Sequence, residues 1–521
     1  MRTLRLLALA AFLPALATAQ SGTLDATFGV GGRVTIAQGD GDHGGWAIRP
    51  LADGHLLLAG RVYGQPSIFR LDAAGGFDAA FGTGGWVDVR AAQGSDQAAV
   101  DLAVRPDGRV LAAIGVTYSG LLFDFAGRGG IVQVTADGVR DSTFGTDGVA
   151  DLGGDTERAH FTRVLLLPDG RTVAAGAAMI TGSSSAADGV LVRLTPDGTL
   201  DASFGAGGVA RLAFPDASAV VTGLVALPDG RLLAAGYQGA TFNLAPFLAR
   251  FTADGRPDST FGTAGVRPLD FGSTLGIICD LDLDAEGRPY LAGASGFPAL
   301  ALLLARLKPD GEFDSSFGTA GRVTTTFGGT AAAGTHLVLQ PDGKVLVTGT
   351  AGTAPGAPAV VARYSAAGVL DPMFGTDGVA RVTLGGEGGF ASAAALDADG
   401  RLLAAGFRQA DFETRSLVAM RFLNDAGQTA TEGAPAPFAL GQPAPNPTVR
   451  EATLALVLTA PAHVRAEAFD ALGRRVALLH DGVLAAGAHT LTFDGADLPP
   501  GVYVVRVTGP EGVAVRRVVR A

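Results

Sequence analysis

Acidic side chains come close enough together at two places in this 521-residue chain to suggest cation chemistry. GDGDHGGW, Gly39 to Trp46, offers Asp40, Asp42 and His43; CDLDLDAEG, Cys279 to Gly287, offers Asp280, Asp282, Asp284 and Glu286. Calcium takes about six to eight oxygen ligands. In the second stretch the intervening leucines put the acids on one face of a strand, so other ligands would have to come from elsewhere in the fold. The alternative in both places is an ordinary solvated turn or strand face, and no metal ligand is assigned. The sequence contains no H-E-x-x-H, no G-x-S-x-G, no glycine-rich phosphate loop and no spaced His-Cys ligand set, so no catalytic residue and no cofactor is assigned. Cys279 is the single cysteine and makes no internal disulfide; it reads as a small buried hydrophobe, with a reactive thiol as the alternative. The formal charge of -11, with no basic stripe, excludes a nucleic-acid partner.

The elements that would position any site belong to a repeat. A Phe-Gly box, LDASFGAGG in one copy, has its Phe at 28, 81, 144, 204, 261, 317 and 374. A second box, LPDGRLLAAG, places a turn acid at Asp53, Asp107, Asp169, Asp229, Glu286, Asp342 and Asp399. A third, LARFTADG, carries Arg70, Arg193, Arg250, Arg306, Arg363 and Arg421, with Gln133 in one copy. From the Arg position to the next Phe the interval is always 11 residues, and from Phe to the following turn acid it is 25, once 26. From turn acid to Arg it runs from 17 to 26, so the length variation is concentrated in one loop per repeat.

Alternating Val, Leu and Ala on either side of a PDG turn predicts β-hairpins, because Pro presets one turn dihedral and Gly accepts the positive φ. Four strands per repeat predict an all-β fold, a seven-bladed β-propeller followed by a small Ig-like β-sandwich. The chain enters on a Phe-Gly box with no Arg box before it and leaves on an Arg box with no Phe-Gly box after it. A last strand at Met420 to Asn424 would therefore share a sheet with the segment at Leu24 and close the ring, removing the exposed edges of the open solenoid that is the alternative. Leu200 and Phe204 are expected on the same side of one helical turn, capped by Asp201 and ended by Gly205, as a peg between blades. The Arg recurs at one offset, which suggests pairing with a nearby Asp rather than a ring of anion-binding guanidinia. The variable loops, GVTYSGLLFDFAGRGG with Tyr118, Phe123 and Phe125 above all, should share one face, as binding loops or as tolerated insertions.

These boxes, over about Ser21 to Gly427, resemble the delta-60 repeat family, built around LDxxFGxxG; Arg140 and Pro257 replace the usual Leu, and Ala367 replaces a turn acid. The resemblance implies a secreted or surface repeat protein. Residues 1–19 read as a signal peptide, with Arg2 and Arg5, an apolar run and Ala17-Thr18-Ala19. Residues 20–428 are assigned to the propeller and 429–444, rich in Pro and Ala, to a linker. Residues 445–521 look like a type A C-terminal sorting domain of the type IX secretion system, on PNP at Pro445 to Pro447, DALGRRV, GAHTLTFD and LPPGVYVVRV; a non-sorting Ig-like module is the alternative. That resemblance implies the secretion machinery as partner, and passage to the outer-membrane surface or beyond. The expectation is a monomeric, non-enzymatic protein that binds a glycan or protein or serves structurally, with a propeller hydrolase or lyase using a central-channel site as the alternative.

Overall fold

The computed structural model describes residues 21–520 except 37–43, 92–96, 117–128, 151, 153–158, 180–186, 216, 241–242, 297–298, 329–330, 353–355, 385–387, 410–414, 426–437, 441–442, 444–445, 447, 459–460, 471–473 and 510–511. The proposed signal peptide and most of the linker lie outside them, as do Asp40, Asp42, His43, Tyr118, Phe123 and Phe125. The chain divides into two compact units, residues 1–428 and 429–521.

Among the described residues of the first unit, every regular element is a strand, arranged in seven antiparallel sheets. The first strands of the sheets, Gly44–Pro50, Gln97–Val104, Ala159–Leu166, Ser218–Ala226, Gly276–Leu283, Ala332–Leu339 and Gly388–Leu396, each touch the next, and the last touches the first. They form the inner ring of a β-propeller. The sheets are out of phase with the sequence repeat by one strand. Val209–Leu212, which follows the Phe-Gly box, is the outer strand of the third sheet, while the next three strands begin the fourth. Carried round the ring, this offset leaves the seventh sheet without its own outer strand, and Arg33–Ile36 supplies it: Arg33 pairs with Met420 and Ile36 with Leu417. The Leu423 N–H bonds Thr23 O at 2.8 Å.

Two devices recur. The first strand of every sheet carries a β-bulge, for example between Val221 and Gly223. Opposite the bulge six sheets place a glycine, the last letter of LLAAG; a Cβ at Gly236 would lie 2.0 Å from Val220 O and one at Gly406 1.8 Å from Phe390 O. These glycines admit a close backbone approach and are not turn residues. The second device is the core, which is divided into slabs between neighbouring sheets. Each box Phe, 28, 81, 144, 204, 261, 317 or 374, lies in a different slab and is at most 2% exposed.

The second unit holds a three-stranded sheet (Phe438–Leu440, Glu451–Leu458, Gly487–Asp494) and a four-stranded sheet (Arg475–Leu484, Ala462–Phe469, Gly501–Gly509, Gly512–Arg520), which enclose one core including Leu454, Phe493, Tyr503 and Val518. Phe438–Leu440 pairs with Leu456–Leu458 although it falls in the segment read as linker. Its three residues are too short a run to reveal an alternation, and only the partner strand makes it a strand.

Candidate functional site

The repeated arginine is the first candidate, and its surroundings decide its role. Arg193, 4% exposed, bonds Asp201 Oδ2 through Nε at 2.8 Å and Ser203 Oγ at 2.9 Å, and its guanidinium lies 4.6 Å above the Phe204 ring. Arg70, Arg250, Arg306, Arg363 and Arg421 repeat the arrangement over Phe81, Phe261, Phe317, Phe374 and Phe28 at 4.6 to 4.9 Å. Several reach on to the next sheet: Arg70 donates to Ala136 O at 2.6 Å and Arg421, across the closure, to Ala73 O at 2.6 Å. A buried cation needs a carboxylate and a ring face to offset lost hydration. The carboxylate is gripped from a second side: Arg171, from the PDGR turn, lies 3.0 Å from Asp201, and His55 takes that place in the first sheet, 3.4 Å from Asp78.

The sheet with Gln133 keeps the joint by another route. Arg105, just after the inner strand, bonds Gln133 Oε1 at 2.5 Å and reaches Pro196 O of the next sheet at 3.3 Å, while Gln133 donates to Asp141 at 2.7 Å. Burial alone would raise the Asp141 carboxyl; hydrogen bonds from Thr143, Gln133 and Arg109 outweigh it and bring it down to about 2.

The helical turn expected at Leu200 to Gly205 is not formed. Asp201 Oδ1 accepts the Ser203 N–H at 3.0 Å, and the Phe204 N–H bonds Asp201 O at 2.9 Å, which is a side-chain-braced β-turn. Its two apolar residues therefore part: Leu200 packs on the slab before the third sheet and Phe204 on the slab after it.

The inner strands bring together a second, non-repeating cluster. Arg49 lies 2.6 Å from Asp101, whose other oxygen accepts the Val164 N–H of the third sheet at 3.0 Å. Arg163, on the third sheet, reaches the fifth and donates to Cys279 O at 2.6 Å and Asp280 Oδ1 at 3.1 Å. Asp280 also meets His336 Nδ1 and accepts the Leu337 N–H at 2.9 Å. Burial opposes ionisation of Asp280, but the His336 and Arg163 charges hold it well below the usual carboxylate range. Asp282 differs: burial raises its carboxyl, and the Asp280 charge adds to the rise. Burial pushes the Cys279 thiol up to about 12, which leaves it unreactive at neutral pH.

The structure thus separates the four acids of CDLDLDAEG. Asp280 and Asp282 face the inner cluster, whereas Asp284 and Glu286 lie at the turn, bound to Arg288 at 2.6 and 3.0 Å. Among the described residues no group of three or more His, Cys, Asp or Glu is placed to hold a metal ion. Arg49, Asp101, Arg163 and His336 were not identified from the sequence; each is isolated there, and only the bulges align them. Two rim grooves, about 610 Å³ beside Gly205 and Gly255 and about 460 Å³ beside Gly29 and Gly75, occupy equivalent positions in the repeat and belong to the scaffold.

Fold and joints define a β-propeller built from tandem repeats. Four segments, residues 167–204, 227–261, 290–317 and 340–374, match the model of DUF5122, a β-propeller domain of unknown function. No curated protein matches the chain. Similar solved structures include PorZ, a surface component of the type-IX secretion system of Porphyromonas gingivalis, at 14% identity and a TM-score of 0.39, over 93% of this chain and 60% of PorZ. This chain thus spans less than two thirds of PorZ. Others are a protein of unknown function from Dyadobacter fermentans, 12% identical with a TM-score of 0.41 over 75% of this chain and 97% of that one, and a family PL25 ulvan lyase, 12% identical with a TM-score of 0.39 over 77% and 94%.

Proposed function

We propose that the chain is a secreted or cell-surface protein of the delta-60 repeat type whose propeller is a non-enzymatic binding or structural scaffold, carried out of the cell by a signal peptide and a C-terminal type IX sorting domain. The observation that carries the non-enzymatic part is the inner cluster: Asp101 and Asp280 each hold an arginine and a backbone N–H of the next sheet, so both serve as braces. Binding then falls to the variable loops. The antiparallel order places the connections between second and third strands at one end of every sheet, opposite the PDG turns. A glycan or protein partner should lose capture when residues 117–128 are shortened to a two-residue turn and keep it in Asp282→Asn. Undiminished capture after loop shortening would contradict the assignment.

Asp282 favours a second reading, a propeller hydrolase or lyase, because a half-buried carboxyl with a raised pKa suits a general acid. Turnover of glycosides, esters or lactones that Asp282→Asn abolishes would establish it. For the address, removal of the residues after Pro447 should strand the protein in the periplasm of its host; export undiminished by that truncation would refute the sorting role.

A further inference from the structure

We propose that the outer face of the four-stranded sheet in the second unit is a docking surface for an acidic, aliphatic polypeptide segment. This goes beyond the export reading and does not rest on it. Residues 429–521 carry eight arginines, no lysine and eight carboxylates, so the unit is formally neutral. One face is not. Glu467, its side chain 8% exposed, accepts Arg475 at 2.9 Å and Arg465 at 3.1 Å on one oxygen and Arg506 at 3.0 Å on the other. The three guanidinia are 51%, 45% and 45% exposed, and Arg506 is further held 4.5 Å over the Phe469 ring. One carboxylate therefore pre-positions three cations, each with further N–H donors beyond its bond to Glu467. Asp481, 3.5 Å from Arg465, offsets one more charge, and the face remains positive.

Beside the arginines the face carries exposed aliphatic side chains, together with His463, Thr508 and the Phe469 ring. Leu478, opposite Glu467, is 52% exposed, and Val483 and Val502 are 72% and 39% exposed. A sulfated or phosphorylated polysaccharide would meet the arginines and leave these side chains in water. A bilayer surface is favoured by Trp and Tyr anchors; this unit has no Trp, and Tyr503 is turned into its core. A polypeptide presenting carboxylates between Leu or Val side chains satisfies both requirements, and its charge pattern complements that of the face.

The test uses the full chain and a fluorescent peptide of alternating Glu and Leu, with a Lys-Leu peptide as control, read by anisotropy at low and physiological ionic strength. The Glu-Leu peptide should bind, more weakly as salt rises. Arg475→Gln with Arg506→Gln should weaken binding about tenfold or more, while Arg474→Gln, whose guanidinium is 74% exposed on Asp470, should not. Leu478→Ser with Val483→Ser, which removes exposed groups only, should weaken it about fivefold and keeps the test decisive if the arginine variant fails to fold. Absence of binding, or binding by both the arginine and the aliphatic variant equal to that of the unchanged chain, would overturn the proposal. So would heparin or phosphatidylglycerol vesicles outcompeting the peptide with the same arginine dependence.

Discussion

At the residue scale each joint is a closed electrostatic unit, and its failure modes are specific. Arg105 stands where three repeats have Leu51, Leu167 and Leu227 and the other three have Asp284, Gln340 and Asp397, and it restores the guanidinium that Gln133 removed. Arg105→Leu should cost about 3 kcal/mol, because Gln133 and the Pro196 carbonyl lose a buried partner. Gln133→Arg alone should also destabilise, by placing two cations together. The double variant should recover most of the loss, and denaturant midpoints of the four proteins give the coupling. Acid should act on all seven joints at once, since Asp25, Asp78, Asp141, Asp201, Asp258, Asp314 and Asp371 are all held below the ordinary carboxyl range. A depressed folded pKa contributes stability that is complete above the unfolded value and lost as pH falls through the folded one. For Asp141 that window runs from its ordinary 3.8 to about 2. Thermal midpoints should therefore fall steeply only below about pH 4; a midpoint flat down to pH 2 would contradict the joint ionisation.

At the element scale the bulge and the peg divide the work between strand and turn. Gly236→Ala should cost about 2 kcal/mol or more, since the added methyl meets a backbone carbonyl that has no room to move. Phe204→Ala should cost about 3–5 kcal/mol, as expected for a fully buried aromatic. Leu200, half-buried on the other slab, should cost less. Urea unfolding of the three variants orders them. The hairpins were legible because a period of two and a PDG turn are local signals, as the turn glycine at Gly230 bears out with φ +84°. The peg was legible as a contact but not as a shape. A spacing of four suits a helical turn, and only the pairing of Leu194 with Leu200 shows the chain already committed to a hairpin there.

At the scale of the whole first unit, stability depends on closure. The outer strand Arg33–Ile36 and the Asp25–Arg421 pair at 2.8 Å join residues nearly 400 apart in sequence. A chain starting at Gly44 should lose both, expose the edge of Arg415–Phe422 and self-associate through it, as seen by light scattering. A monomeric product with an unchanged melting temperature would refute the closure. Loss of one edge strand should matter more here than in an open array, because a ring has no end at which to fray.

The sequence by itself determined the all-β repeat, the joint Phe and Arg, and the division between constant and variable segments, because spacing and periodicity record contacts made by neighbours along the chain. It could not decide the inner cluster. Arg49, Asp101, Arg163, Asp280 and His336 come from five sheets, separated by tens to hundreds of residues, and share no motif. The inner strands, each with its bulge, bring them within hydrogen-bond reach. The same holds for Glu467 with Arg475 and Arg506, which cross-strand register brings together, while Arg465 is its neighbour two residues along the strand. Local patterns fix which residues repeat; tertiary packing selects which of the non-repeating ones meet.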